Sequence, residues 1–188
     1  MKIRALATLA LGAILSQQAW GKTDAQEKTF GDRAVEAEIQ AQTREFYGKE
    51  TARVYLLTSK NVLGLDGSCG TELEGSLVGS NLVRVVGFGC TTRGRYSAEF
   101  YWRDGKLIFI YETFEYFAEN VPAGAWQNFK RIASWERRLY FKDGLVAYGA
   151  STGTGAPEPG VDGKSMQNRA AQLAGRLSKR PQVPSSPH

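Results

Sequence analysis

Glu99 and Glu112 are the first residues of this chain whose types and spacing suggest chemistry. They flank Asp104-Gly105 in the stretch AEFYWRDGKLIFIYE. Asp-Gly between alternating apolar residues signals a two-residue type I′ hairpin. Folding at that turn pairs Trp102 with Leu107, Phe100 with Phe109, Ala98 with Tyr111 and Tyr96 with Thr113. The opposite side then carries Arg103 with Lys106, Tyr101 with Ile108, Glu99 with Ile110, and Ser97 with Glu112. Glu99 and Glu112 become diagonal neighbours on the exposed side, about 7–8 Å apart at the backbone. Their carboxyls then fall within the separations that glycoside hydrolysis uses. The plainer reading is surface charge beside Arg103, Lys106 and Glu115, because a small sheet offers no obvious cleft. That plainer reading is preferred, and no residue is assigned as catalytic.

A second constellation lies in AWQNFKRIASWERR, where Trp126, Phe129 and Trp135 interleave with Lys130, Arg131, Arg137 and Arg138. Aromatic and arginine side chains together anchor protein partners or glycans. The same aromatics would also serve to cap a sheet core. This segment is the candidate binding surface, and exposure of its rings decides between the two uses.

Other chemistries lack their residues. The only histidine is His188, in a Pro/Ser-rich tail that nothing positions for catalysis. One histidine and two cysteines cannot build a structural zinc site. The glycines of GFGCTTRGR lack a following helix to hold phosphate. No metal and no cofactor are expected.

Chemistry of this kind depends on the compartment. The opening MKIRALATLALGAILSQQAWG has a basic start, an apolar run from Ala5 to Leu15 and small residues at Ala19 and Gly21. This is the pattern of a Sec-type signal peptide over residues 1–21, with a mature chain from Lys22. Eleven apolar residues are too few to span a bilayer, so no transmembrane segment is expected in the mature chain. A periplasmic or secreted protein folds under oxidising conditions, and Cys69 and Cys90 are then expected to form a disulfide. A Gly79-Ser80 turn of type II′ would place those two cysteines opposite each other in a third hairpin.

The formal charge of +5 is unevenly spread. Residues 22–160 hold 17 basic and 18 acidic side chains. Residues 161–188 hold Lys164, Arg169, Arg176, Lys179 and Arg180 against Asp162 alone. A nucleic-acid binder carries its positive field on the folded domain, so charge and export both argue against nucleic acid.

The elements follow from periodicity. Asp32 suits an N-cap, Val35, Ile39 and Phe46 recur at helical spacing, and Gly48 offers a stop. TARVYLLTS fits a strand or an extension of that helix. From Leu65 to Ala150 short strand-like runs alternate with turns, and YFKDGLVAY repeats the hairpin of YWRDGKLIFIY. The fold class is therefore α+β: an antiparallel β-meander of repeated hairpins packed on an N-terminal helix within residues 22–150. That helix is expected over the apolar side bearing Phe100, Trp102, Leu107 and Phe109. STGTGAPEPG, residues 151–160, reads as a flexible linker. Beyond it Met166, Ala170, Leu173 and Leu177 form the stripe of a short helix, and the remaining residues to 188 read as a disordered basic tail.

The pattern EFYWRDGKLIFIYE followed by WERRLYFKDGLV resembles small exported bacterial β-meander proteins of uncharacterised function, over roughly residues 33–150. The resemblance implies an N-terminal helix with a meander and carries no functional residues. The function expected is a non-catalytic binding or structural protein of the bacterial envelope, its partner an envelope protein or glycan. The alternatives are a carboxylate-dependent hydrolase of an envelope glycan and an inhibitor of an envelope-acting enzyme.

Overall fold

Three tight turns organise the sheet, and each is set by residues that tolerate positive φ. Asp104 and Gly105 have φ of 50° and 73°, and Asp143 and Gly144 have 51° and 76°, as a type I′ turn requires. Gly79 alone is positive at the third turn, with φ of 62°, which matches type II′. The computed structural model describes residues 28–31, 33–44, 49, 52–58, 63, 71–118, 130–157 and 163–184. The signal-peptide stretch, Asp32, Phe46, Gly48, Cys69, Trp126, Phe129 and His188 lie outside them.

Among the described residues the elements are β1 (Lys28–Gly31), α1 (Arg33–Arg44), β2 (Ala52–Thr58), β3 (Thr71–Val78) and β4 (Asn81–Thr91). They continue with β5 (Gly94–Arg103), β6 (Lys106–Phe117), β7 (Arg131–Lys142), β8 (Leu145–Gly153), α2 (Gly163–Leu177) and β9 (Val183–Pro184). The order across the sheet is β1-β8-β7-β6-β5-β4-β3-β2-β9, an antiparallel meander from β2 to β8 with a short strand at each edge. The expected α+β meander is present, and the open choice for TARVYLLTS resolves as strand.

All three hairpins slip at the same place. Two pairs beyond each turn, the returning strand inserts one extra residue: Val83, Ile108 and Ala147. Trp102 still faces Leu107, but Tyr101 then faces Phe109, Phe100 faces Ile110 and Ala98 faces Glu112. Such bulges change which side chains share a face. The pairings expected for Phe100, Ala98 and Tyr96 are corrected by one residue, and Phe109 joins Tyr101 on the opposite side of the sheet. The bulge before Leu77 also breaks the register that was to align the cysteines, since Glu72 faces Phe88 rather than Gly87.

Two apolar cores result, one on each face. The larger joins Val54, Leu73, Val85, Phe100, Trp102, Ile110, Leu139 and Phe141 to the buried stripe of α2. Gly75 leaves room for its neighbours on this face, since a Cβ there would meet Val54 Cγ2 at 2.7 Å, Leu82 Cδ1 at 2.9 Å and Leu177 Cδ1 of α2 at 3.1 Å. The smaller core packs Ile39 and Val35 of α1 on Tyr101, Ile108, Phe109, Tyr140 and Tyr148. The expected arrangement is therefore reversed. α2 covers Phe100 and Trp102, and α1 covers the far face.

The expected linker and tail also carry structure. β8 runs through Gly153, three residues into the 151–160 stretch, and Ser151 is buried. Val183 and Pro184, within the expected disordered tail, pair with Arg53 and Ala52 of β2.

Candidate functional site

The two faces of the sheet give the charged residues very different surroundings. On the α2 face, Ala98, Glu112, Arg137 and Ser151 align across β5 to β8. Glu112 is 2% exposed and Arg137 3% exposed. The Arg137 guanidinium donates from Nε at 2.7 Å and lies 2.6 Å from the same Glu112 oxygen through its terminal nitrogen. The Tyr96 hydroxyl donates to the other Glu112 oxygen. Burial pushes the Tyr96 phenol well above its ordinary value, and the Glu112 charge and hydrogen bond add to the shift. This is a sealed ion pair held between the strands and α2. Both charged side chains are almost wholly removed from solvent, and they satisfy each other and the Tyr96 hydroxyl within the core.

Glu99 points the other way. It accepts from Arg84 at 2.9 Å and from the Tyr101 hydroxyl at 2.5 Å on the face opposite Glu112. Neighbouring β-residues face opposite sides, and Glu112 faces Ala98, not Glu99. The predicted Glu99–Glu112 pair is thus corrected: the two carboxylates share no cleft, and the paired-acid arrangement of a glycosidase is lost.

The aromatic-basic segment is likewise divided. Trp135 stacks on Phe114 with centroids 6.1 Å apart and packs against the α2-side core. Arg137 is buried on that side, while Arg138 lies over the Tyr111 ring and pairs with Glu136 at 2.6 Å. Arg131 pairs with Glu115 at 2.9 Å, and Lys130 is exposed at the strand entrance. Within the described part of the predicted surface, Trp135 serves the core and Arg131 and Arg138 face outward.

What sequence reading missed lies on that outward face, beyond the reach of α1. Tyr55, Leu57 and Phe88 are 47%, 82% and 46% exposed. Leu57 and Phe88 both face Glu72 of β3, from either side, and Tyr55 faces Glu74. The three therefore project together from β2 and β4. Around them Arg53 pairs with Glu74 at 3.5 Å, Arg84 with Glu99, and Arg95 with Glu115 at 2.6 Å, while exposed Glu72 lies between Leu57 and Phe88. Burial raises the Glu115 carboxyl, but the hydrogen bonds and charges of Arg95 and Arg131 outweigh it and hold the group below its ordinary value. Burial first, and then the Glu136 hydrogen bond, pushes the Tyr111 phenol up to about 12. The alternation Arg53, Tyr55, Leu57 was the available signal, but it has meaning only once the segment is known to be a strand.

Cys90 is buried in β4, and no free cysteine occurs among the described residues. Its expected partner, Cys69, lies outside them. Among the described residues no group of three His, Cys, Asp or Glu side chains is placed to hold a metal, and no helix is long and apolar enough to cross a membrane. No family model, curated protein or solved structure matches the chain.

Proposed function

We propose that this chain is an exported, non-catalytic binding protein of the bacterial envelope that docks a protein partner on the open face of its sheet. The observation that carries the reading is the exposed Tyr55–Leu57–Phe88 patch, ringed by arginine–carboxylate pairs. Exposed apolar side chains on either side of Glu72, with arginine–carboxylate pairs around them, give the mixed apolar and polar character of a protein-binding surface. Large exposed aliphatic and aromatic side chains grouped on one face weaken solubility unless a partner covers them. Inhibition of an envelope-acting enzyme is one form such docking can take.

Export rests on the N-terminal pattern, and with it goes the proposed Cys69–Cys90 disulfide. Peptide mapping without reductant should recover the linked pair from periplasmic protein; two alkylated thiols would remove it. For the surface, immobilised protein is exposed to envelope extract beside Leu57→Asp and Leu145→Asp variants. Leu145 is 73% exposed at a distant turn and serves as the control. A protein retained by the parent and by Leu145→Asp but lost with Leu57→Asp supports the reading. Retention of peptidoglycan alone would reassign the ligand to a glycan, and equal retention by all three would reject the patch.

A further inference from the structure

A second surface, remote from Tyr55 and Phe88 in chemistry, lies at the C-terminal end of α2. A groove of about 680 Å³ opens there between the helix, the turn that follows it and β2. Arg176, Lys179 and Arg180 line it with Gln172 and Gly175, and Leu56 forms an apolar part of its wall. On α2, Arg169, Gln172 and Arg176 fall at i, i+3 and i+7, so they run along one flank of the helix toward the groove.

The charge balance here differs from that on the sheet. Arg53, Arg84, Arg95, Arg131, Arg137 and Arg138 each have a carboxylate partner. Among the described residues no carboxylate pairs with Arg176, Lys179 or Arg180, and the groove lining contains no acid. The helix C-terminus supplies about half a negative charge, which three cations exceed. The groove is therefore net positive, and its charge is uncompensated from within the described protein.

Gly175 supplies an independent observation. Glycine inside a helix is less favourable than alanine by roughly 1 kcal/mol. A Cβ at Gly175 would meet nothing within 4 Å, so packing does not require the glycine. Its missing side chain instead leaves the groove open beside Arg176 and Lys179. Two guanidiniums and an ammonium around an open pocket suit a tetrahedral anion, because guanidiniums bind phosphate oxygens in pairs and lysine adds a mobile point charge.

We propose that this groove binds a phosphate group, carried either by an anionic lipid headgroup or by a soluble phosphate ester. The site is independent of the sheet-face reading. Its apolar wall at Leu56 accommodates the carbon skeleton of such a ligand, while Gln172 and the cations hold its oxygens.

The test uses the processed protein, freed of residues 1–21, with two probes: vesicles of phosphatidylglycerol in phosphatidylcholine, and glycerol 3-phosphate followed by calorimetry. Three variants are compared. Arg176→Glu and Arg93→Glu change net charge equally, but Arg93 is exposed at the β4–β5 turn and is not part of the groove lining. Gly175→Leu changes no charge and fills the groove. Binding is expected to weaken roughly tenfold in Arg176→Glu, from the usual contribution of a cation at an anionic surface. Gly175→Leu is expected to weaken it comparably while its melting temperature is held or raised. Binding of vesicles alone assigns a lipid headgroup, binding of glycerol 3-phosphate alone assigns a soluble ester, and binding of both assigns the shared phosphate chemistry. Failure of both probes at low salt overturns the site. So does equal weakening in Arg176→Glu and Arg93→Glu with Gly175→Leu unchanged, since that pattern is diffuse attraction to a basic protein.

Discussion

At the scale of the residue, the decisive feature is the sealed Tyr96–Glu112–Arg137 cluster. A buried ion pair is weak support for stability when intact, but removing one partner strands a charge away from water. Arg137→Ala should therefore lower unfolding free energy by about 3–5 kcal/mol, read from urea melts. The double variant Arg137→Met/Glu112→Gln should regain much of that loss, because no charge remains and the amide still accepts from Tyr96. If the double variant is as unstable as the single one, the cluster is not where the loss arises. Tyrosines extend the same logic to pH. Burial with help from Glu112 raises Tyr96, while burial, with Glu36 adding and Gln40 opposing, pushes Tyr140 up to about 12. A phenol whose folded value is raised contributes stability that is intact below its unfolded value near 10 and declines as pH climbs through the folded value. Unfolding free energy should thus fall between about pH 10 and 12. A flat profile over that range would contradict the buried placement of these rings.

Elements set which residues meet. Three hairpins carry the same device, a positive-φ turn followed two pairs later by an extra residue on the returning strand. A Cβ at Gly105 would touch nothing, so Gly105→Ala isolates the backbone term and should cost about 1–2 kcal/mol. Gly144→Ala should cost about the same 1–2 kcal/mol if the two turns are equivalent. Urea midpoints of both variants test this, and a neutral Gly105→Ala would mean that the turn adopts another form. The bulges matter beyond geometry. By shifting partners one residue, they send Glu112 into the core and leave Glu99 on the open face.

For the whole molecule, α2 is a structural member rather than an appendage. Met166, Ala170, Leu173 and Leu177 are all buried in the larger core, against strands from both halves of the sheet. Leu173→Ala should cost about 2–5 kcal/mol, as for buried leucines generally. A chain ending at Pro157 would expose the apolar side of β2 to β8 and should lose cooperative thermal unfolding altogether. Retention of a sharp transition by that truncated chain would show that the meander folds without its C-terminal helix. The two faces are covered unequally: α2 closes one, while α1 packs on the β5–β8 part of the other and leaves Tyr55, Leu57 and Phe88 exposed.

The sequence by itself determined the local structure. Asp104-Gly105, Asp143-Gly144 and Gly79-Ser80 specified their turns, alternation specified the strands that flank them, and the spacing of Met166 to Leu177 specified α2. These are short-range properties, governed by allowed φ values and by the period of the apolar residues. Tertiary structure decided the rest. A bulge residue such as Ile108 looks like any other strand residue, yet it exchanges the faces of everything beyond it. Two apolar helix stripes were legible, but which stripe covers Phe100 and which covers Tyr101 was decided only in the assembled sheet. Glu112 in the core and Leu57 in solvent were settled there too, because a side chain's surroundings belong to the assembled sheet and not to its neighbours in sequence.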